Sequence, residues 1–177
     1  MSCQDFFASL AGIADKTAYF DDRYPACACE ASSMSPHSDA GVVNDDETVW
    51  RLILSPIHFD TQTGRVKEAA FGDVWGRGLS VLRGKLIDDA GGLRRRGVDR
   101  AGNSAVRKFT CAAGAQVGMV RSLRSADGAG RFCVYDTAEQ DEPAHADICQ
   151  TRHSGKTAQK QLRRELQKLF TQLVLAN

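Results

Sequence analysis

The most regular apolar pattern lies near the C-terminus, where Ala158, Leu162, Leu166, Leu169, Phe170 and Leu173 recur at helical spacing. They fall on one side of a 3.6-residue helix, and Lys156, Lys160, Arg163, Arg164 and Lys168 crowd the other sides. The spacing predicts a long basic amphipathic helix with Ser154 or Thr157 as its cap. Thr48 to Leu54 is a dense β-branched and aromatic run ended by Ser55-Pro56, which predicts a buried strand. Shorter strands are predicted at Leu79–Leu82, Lys108–Cys111, Arg131–Asp136 and Ala144–Cys149. Thr61 to Gly64 reads as a turn, Val66 to Phe71 as a short helical or irregular piece, and Met119, Val120 and Leu123 as part of a short helix. Gly84 to Gly102, with Gly91, Gly92 and the run Arg94-Arg95-Arg96, reads as a solvated loop with one helical turn at most.

Towards the N-terminus, Ser2 and Asp5 form a capping box, and Phe6, Leu10, Ile13 and Ala14 repeat at helical spacing as far as about Phe20. From Asp21 the chain turns polar and small, with Pro25, Pro36 and a Ser-rich run. The pattern predicts an α+β fold: a small mixed or antiparallel sheet, an N-terminal helix and a long amphipathic C-terminal helix. Its divisions are a helix at 1–20, a flexible linker or loop at 21–47 and a single domain at 48–177.

Composition changes this picture little. The chain has 177 residues, and 23 Lys plus Arg against 22 Asp plus Glu leave a net charge of +1, so any pull on nucleic acid is local. No stretch approaches the roughly 20 apolar residues of a membrane span, and the start lacks a cationic signal, so a cytoplasmic protein without membrane contact is expected. The 6 Cys are expected as reduced thiols, since a chain of this length has core enough without a disulfide framework.

His58-Phe59-Asp60 and His145-Ala146-Asp147 are two His-x-Asp triplets. An imidazole oriented by a carboxylate shuttles protons, which makes His145, His58 and Asp60 the catalytic candidates. The paired triplets resemble the two-histidine phosphoesterases, except that Asp60 and Asp147 stand where that family has a phosphate-binding Thr or Ser. Arg51 followed by Ser80 is similar to the order in ADP-ribosyltransferase-like folds, without the late Glu on a strand. Gly155-Lys156-Thr157 and Gly76-Arg77-Gly78 are incomplete phosphate loops: Gln150 and Val81 stand where a further glycine is needed. No cofactor is therefore specified. Cys27-Ala28-Cys29 with His37 lacks a second half, so no metal centre is expected.

Trp50-Arg51, Ala70-Phe71, Gly78-Leu79-Ser80-Val81, Pro143-Ala144-His145-Ala146 and the basic last helix together resemble a group of small bacterial proteins of uncharacterised activity. The resemblance covers Thr48 to the C-terminus and implies a bacterial cytosolic setting, with Arg51, Ser80 and His145 close together. The favoured reading is an accessory or binding protein that works with protein partners. The alternative is an enzyme whose Arg51 and Ser80 hold an anionic nucleotide or phosphodiester while His145 acts as acid or base. A third reading is nucleic-acid or partner binding through Arg94, Arg95, Arg96, Lys160, Arg163 and Arg164.

Overall fold

The computed structural model describes residues 9–15, 19, 29–75, 78–151 and 155–176. The fold is α+β. Strands β1 (Thr48–Ser55), β4 (Leu79–Arg83), β5 (Lys108–Gln116), β6 (Phe132–Asp136), β7 (His145–Gln150) and β8 (Gln172–Leu175) form an antiparallel sheet in the order β6-β7-β4-β1-β5-β8. The remaining pair, β2 (Phe59–Asp60) and β3 (Arg65–Val66), is a small hairpin closed by the Thr61–Gly64 turn.

Alternation along β1 shows why the sheet is covered on both sides. Val49 and Ile53 enter one core with Leu79 and Val81 of β4, Val134 of β6 and Ile148 of β7. Over that face lie a 3-10 helix, Glu68–Trp75, and helix α3 (Lys156–Leu169), which contribute Phe71, Val74, Leu162, Leu166 and the following Phe170. The rings of Phe71 and Phe170 sit 5.0 Å apart and tilted. Trp50, Leu52 and Leu54 point the other way, into a second core with Leu93 and Ala101 of helix α1 (Ala90–Ala101). Helix α2 (Val117–Ser122) follows β5 directly and buries Val117 and Val120 in the first core.

Several elements differ from the sequence-based expectation. The expected loop at Gly84–Gly102 holds the 12-residue helix α1. Asp89 caps it by accepting the Gly92 N–H at 2.8 Å, and the helix is stabilised by burial of Leu93 and Ala101 rather than by propensity. Gly97 is required where the helix meets β5, because a Cβ there would lie 2.3 Å from the Phe109 ring. Strand β5 runs on through Ala112 to Ala115, small residues that gain their strand conformation from pairing with both β1 and β8. Strand β8 takes Leu173 out of the helix stripe and leaves it half exposed, and Ala158 is exposed too. Gly155, not Thr157, stands at the N-cap of α3, and Ser154 lies outside the described residues.

The capping box at Ser2–Asp5 also lies outside the described residues. Leu10 to Asp15 form a turn and bend, with Ile13 N–H donating to Leu10 O at 3.0 Å, so the expected helix does not run through them. Residues 29–47 contain one 3-10 turn, Cys29–Ala31, and are tied to the sheet at several points. Met34 N–H donates to Asp136 O at 2.9 Å, Val43 is buried, and Arg121 of α2 pairs with both Glu30 and Asp45. Among the described residues no helix is long and apolar enough to cross a membrane.

Candidate functional site

Core residues occupy alternate positions of β4 and β7, so Ser80, His145 and Asp147 leave the sheet on the α1 face. The register pairs Ser80 with Asp147, and His145 with Leu82. Ser80 Oγ is hydrogen-bonded to His145 Nε2. On the other side of the ring, Nδ1 lies 3.0 Å from Thr137 O and 3.0 Å from Thr137 Oγ1, which in turn donates to Asp147 Oδ2 at 3.2 Å. A carbonyl oxygen only accepts, so Nδ1 carries the proton and Nε2 presents its lone pair to the Ser80 hydroxyl. Gly78, at φ +82, admits Asp147 to this cluster: a Cβ there would stand 2.9 Å from Asp147 Oδ1.

Arg51 lies on the opposite face of β1, between Val49 and Ile53, and its guanidinium enters the seam between β1 and β4. The ladder of these strands holds only two residue pairs, Val49 with Arg83 and Trp50 with Leu82. Beyond them Arg51 supplies donors instead: Nε to Ala70 O at 3.0 Å, Nη1 to Ser80 O at 2.9 Å, and Nη2 to Asp73 Oδ2 at 3.4 Å. Burial pulls the Arg51 pKa down and Asp73 opposes it, while Arg100 and Asp147 act on it from the α1 side. Arg51 thus joins the cluster through the Ser80 backbone, with its fork already occupied.

His58 sits in the turn after β1, with Nδ1 3.4 Å from Leu54 N. Burial lowers its pKa, and the charge of Arg51 lowers it further. It therefore stands near Arg51 and Asp73, across the sheet from His145. Asp60 caps the hairpin turn by accepting the N–H groups of Gln62 at 2.9 Å and Thr63 at 3.3 Å. Neither His58 nor Asp60 is hydrogen-bonded to His145, and the two triplets do not form one site.

The cationic candidates divide between the two faces. On α1, Arg94 donates to Leu175 O at 2.8 Å, Arg96 pairs with Glu142 at 2.7 Å, and Arg95 is exposed. On α3, Arg164 pairs with Glu68 at 2.6 Å, Lys160 is exposed and Arg163 is half-buried. The sheet separates the two groups, so they do not form one basic surface for a nucleic acid.

Sequence reasoning missed Thr137 and a second polar cluster. Arg83 is fully buried and donates to both carboxylate oxygens of Glu47, at 3.0 and 2.9 Å, and to the carbonyls of Gly41 and Val42. It also pairs with buried Asp136 at 3.3 Å, and Lys85 joins Glu47 at 2.8 Å. A signal existed: Leu79, Val81 and Arg83 share one strand parity, as do Phe132, Val134 and Asp136, so each strand carries a charge onto its core face. Thr137 follows a strand and has no such signature. Comparison of the chain with protein-family models, with curated proteins and with solved structures finds no match in any of the three.

Proposed function

We propose that this protein is a hydrolase in which Ser80 is the nucleophile and His145 its general base, acting on a carboxylic ester or related acyl substrate. The observation that carries the reading is the Ser80 Oγ–His145 Nε2 hydrogen bond with Nδ1 held by the Thr137 carbonyl. Attack of Oγ on the acyl carbon passes its proton to Nε2, and that proton goes to the leaving alcohol as the C–O bond breaks. Water then gives a proton to Nε2 as it attacks the Ser80 ester, and that proton returns to Oγ as the carboxylic acid leaves. Asp147 accepts from the Thr137 hydroxyl beside the ring and so helps to hold the residue that orients His145. An anionic phosphodiester fits less well. It would meet the Asp147 carboxylate directly opposite Ser80, while Arg51 is occupied by two carbonyls and Asp73. The test is labelling with a fluorophosphonate, which reacts with activated serines. The label is expected on Ser80, absent in Ser80→Ala, and slowed on the order of 10²–10⁴-fold in His145→Ala. A wild-type chain that stays unlabelled, or carries the label elsewhere, overturns the reading.

A second reading, a protein that acts with a protein partner, is favoured by β8. No further strand pairs with the outer side of this edge strand among the described residues, where Arg94 holds the Leu175 carbonyl, and Leu173 and Leu175 are 52% and 56% exposed. With Arg94 and Arg95 on the adjacent helix, the edge suits an extended acidic segment added as a further strand. Leu173→Lys with Leu175→Lys is expected to abolish co-precipitation of such a partner while moving stability by less than about 1 kcal/mol. Unchanged co-precipitation removes the reading.

A further inference from the structure

Strands β6 and β7 place Cys133 directly opposite Cys149. The type of pair follows from the ladder. Thr151 N–H donates to Arg131 O at 3.0 Å, which makes Arg131 and Thr151 a hydrogen-bonded pair. Antiparallel ladders alternate, so Cys133 and Cys149, two residues further in, are again hydrogen-bonded. Val134 agrees, since its N–H turns away from β7 and donates to Glu30 Oε1 at 2.6 Å. In such a pair the Cα atoms are about 5.5 Å apart. Disulfides span Cα separations of roughly 4.4–6.8 Å.

Both sulfurs leave the sheet on the α1 face, opposite core residues Phe132, Val134 and Ile148. They are half-buried and reduced, and they pack beside Met34 and Tyr135. Cys111, by contrast, faces Ile53 and Leu175 and has no cysteine across from it.

We propose that Cys133 and Cys149 are a redox modification site that closes to a cross-strand disulfide by exchange with a glutathione-type disulfide. The thiolate of one cysteine attacks the incoming S–S bond, forming a mixed disulfide and expelling one glutathione thiolate. The other cysteine loses its proton to solvent and displaces the second glutathione. Two protein thiols are oxidised by two electrons, and one small disulfide is reduced to two thiols. Opposed Cβ atoms in a ladder stand about 4.5–5.5 Å apart. A disulfide needs about 3.8 Å, so closure draws β6 and β7 together and yields a strained, readily reversed bond. Burial, reinforced by the charge of Glu30, pushes the Cys133 thiol up to about 12, which makes closure slow at neutral pH. The proposal is independent of the Ser80 reading.

The sequence provides a clean assay. Phe132 to Arg152 contains no internal Lys or Arg, so trypsin releases Cys133 and Cys149 in one peptide, apart from the other four cysteines. The full chain is equilibrated with mixtures of reduced and oxidised glutathione, quenched in acid, alkylated and digested. The peptide is expected to lose two hydrogens and both alkylation sites, and to regain them with dithiothreitol. In Cys133→Ser or Cys149→Ser, the remaining cysteine should carry one glutathione. A wild-type peptide that still takes two alkyl groups at the most oxidising ratio overturns the proposal. So does either sulfur found linked to Cys27 or Cys29.

Discussion

Arg83→Met is expected to cost about 3–5 kcal/mol, read as a fall in the urea midpoint at unchanged slope. Methionine keeps most of the volume but removes the charge. Glu47 and Asp136, both buried, would then face each other across an apolar side chain, and the carbonyls of Gly41 and Val42 would lose their donor. Small domains are stable by only about 5–15 kcal/mol, so the variant should be partly unfolded at moderate temperature. Adding Glu47→Gln and Asp136→Asn should recover part of the loss, because the cost comes from uncompensated charge. A loss below about 1 kcal/mol in the single variant contradicts this account.

The same cluster sets a pH dependence. Desolvation pushes the Glu47 carboxyl up, but hydrogen bonds from Arg83, the Asn44 N–H and Lys85, with the charge of Arg83, outweigh it and leave the pKa below the ordinary 4.5. The unfolded chain therefore binds protons more readily here than the folded one. The stabilisation is fully present above about pH 4.5 and is lost as pH falls through the depressed folded value. Removal of Arg83 should flatten this acid limb.

Arg51→Ala has the next largest expected effect, a loss of about 2–5 kcal/mol. Its guanidinium satisfies the Ala70 and Ser80 carbonyls within the seam where β1 and β4 stop pairing. Each buried acceptor left without a partner costs about 1–3 kcal/mol. Arg51→Lys should retain little of the stability, because an ammonium cannot reproduce the planar fork that reaches both carbonyls and Asp73. The measurement is again the urea midpoint, and a lysine variant as stable as wild type would refute the argument. If Ser80 is the nucleophile, both Arg51 variants should also slow its labelling, since Arg51 holds the Ser80 backbone.

Strands β1, β4, β6 and β7, the start of β5 and the last helix were legible in the sequence because each declares itself within a few residues. The alternation of Val49, Arg51 and Ile53 and the stripe of Leu162, Leu166 and Phe170 are local periodicities, and burial follows their phase. Helix α1 was not legible. Its glycines and arginines make a weak helix in isolation, and it forms because Leu93 and Ala101 cover the sheet while Gly97 admits Phe109. Strand β8 was hidden for the same reason, since Gln172 to Leu175 continue an apolar stripe until pairing with β5 takes them up.

The candidate site divides along the same line. His145, Ser80 and Arg51 were visible as residue types, and the contact between His145 and Ser80 follows from β4 and β7 being neighbours. Sequence spacing alone suggested that the two His-x-Asp triplets act together, yet the sheet sets them on opposite sides and gives Asp60 to a turn. By itself the chain determined its α+β class, the parity of its strands and the apolar side of α3, all of which depend on neighbours a few residues away. Strand order, the seam that Arg51 fills, the tautomer that Thr137 imposes on His145 and the pairing of Cys133 with Cys149 were decided only by tertiary structure. Each depends on which distant segments lie side by side, and no local pattern encodes that choice.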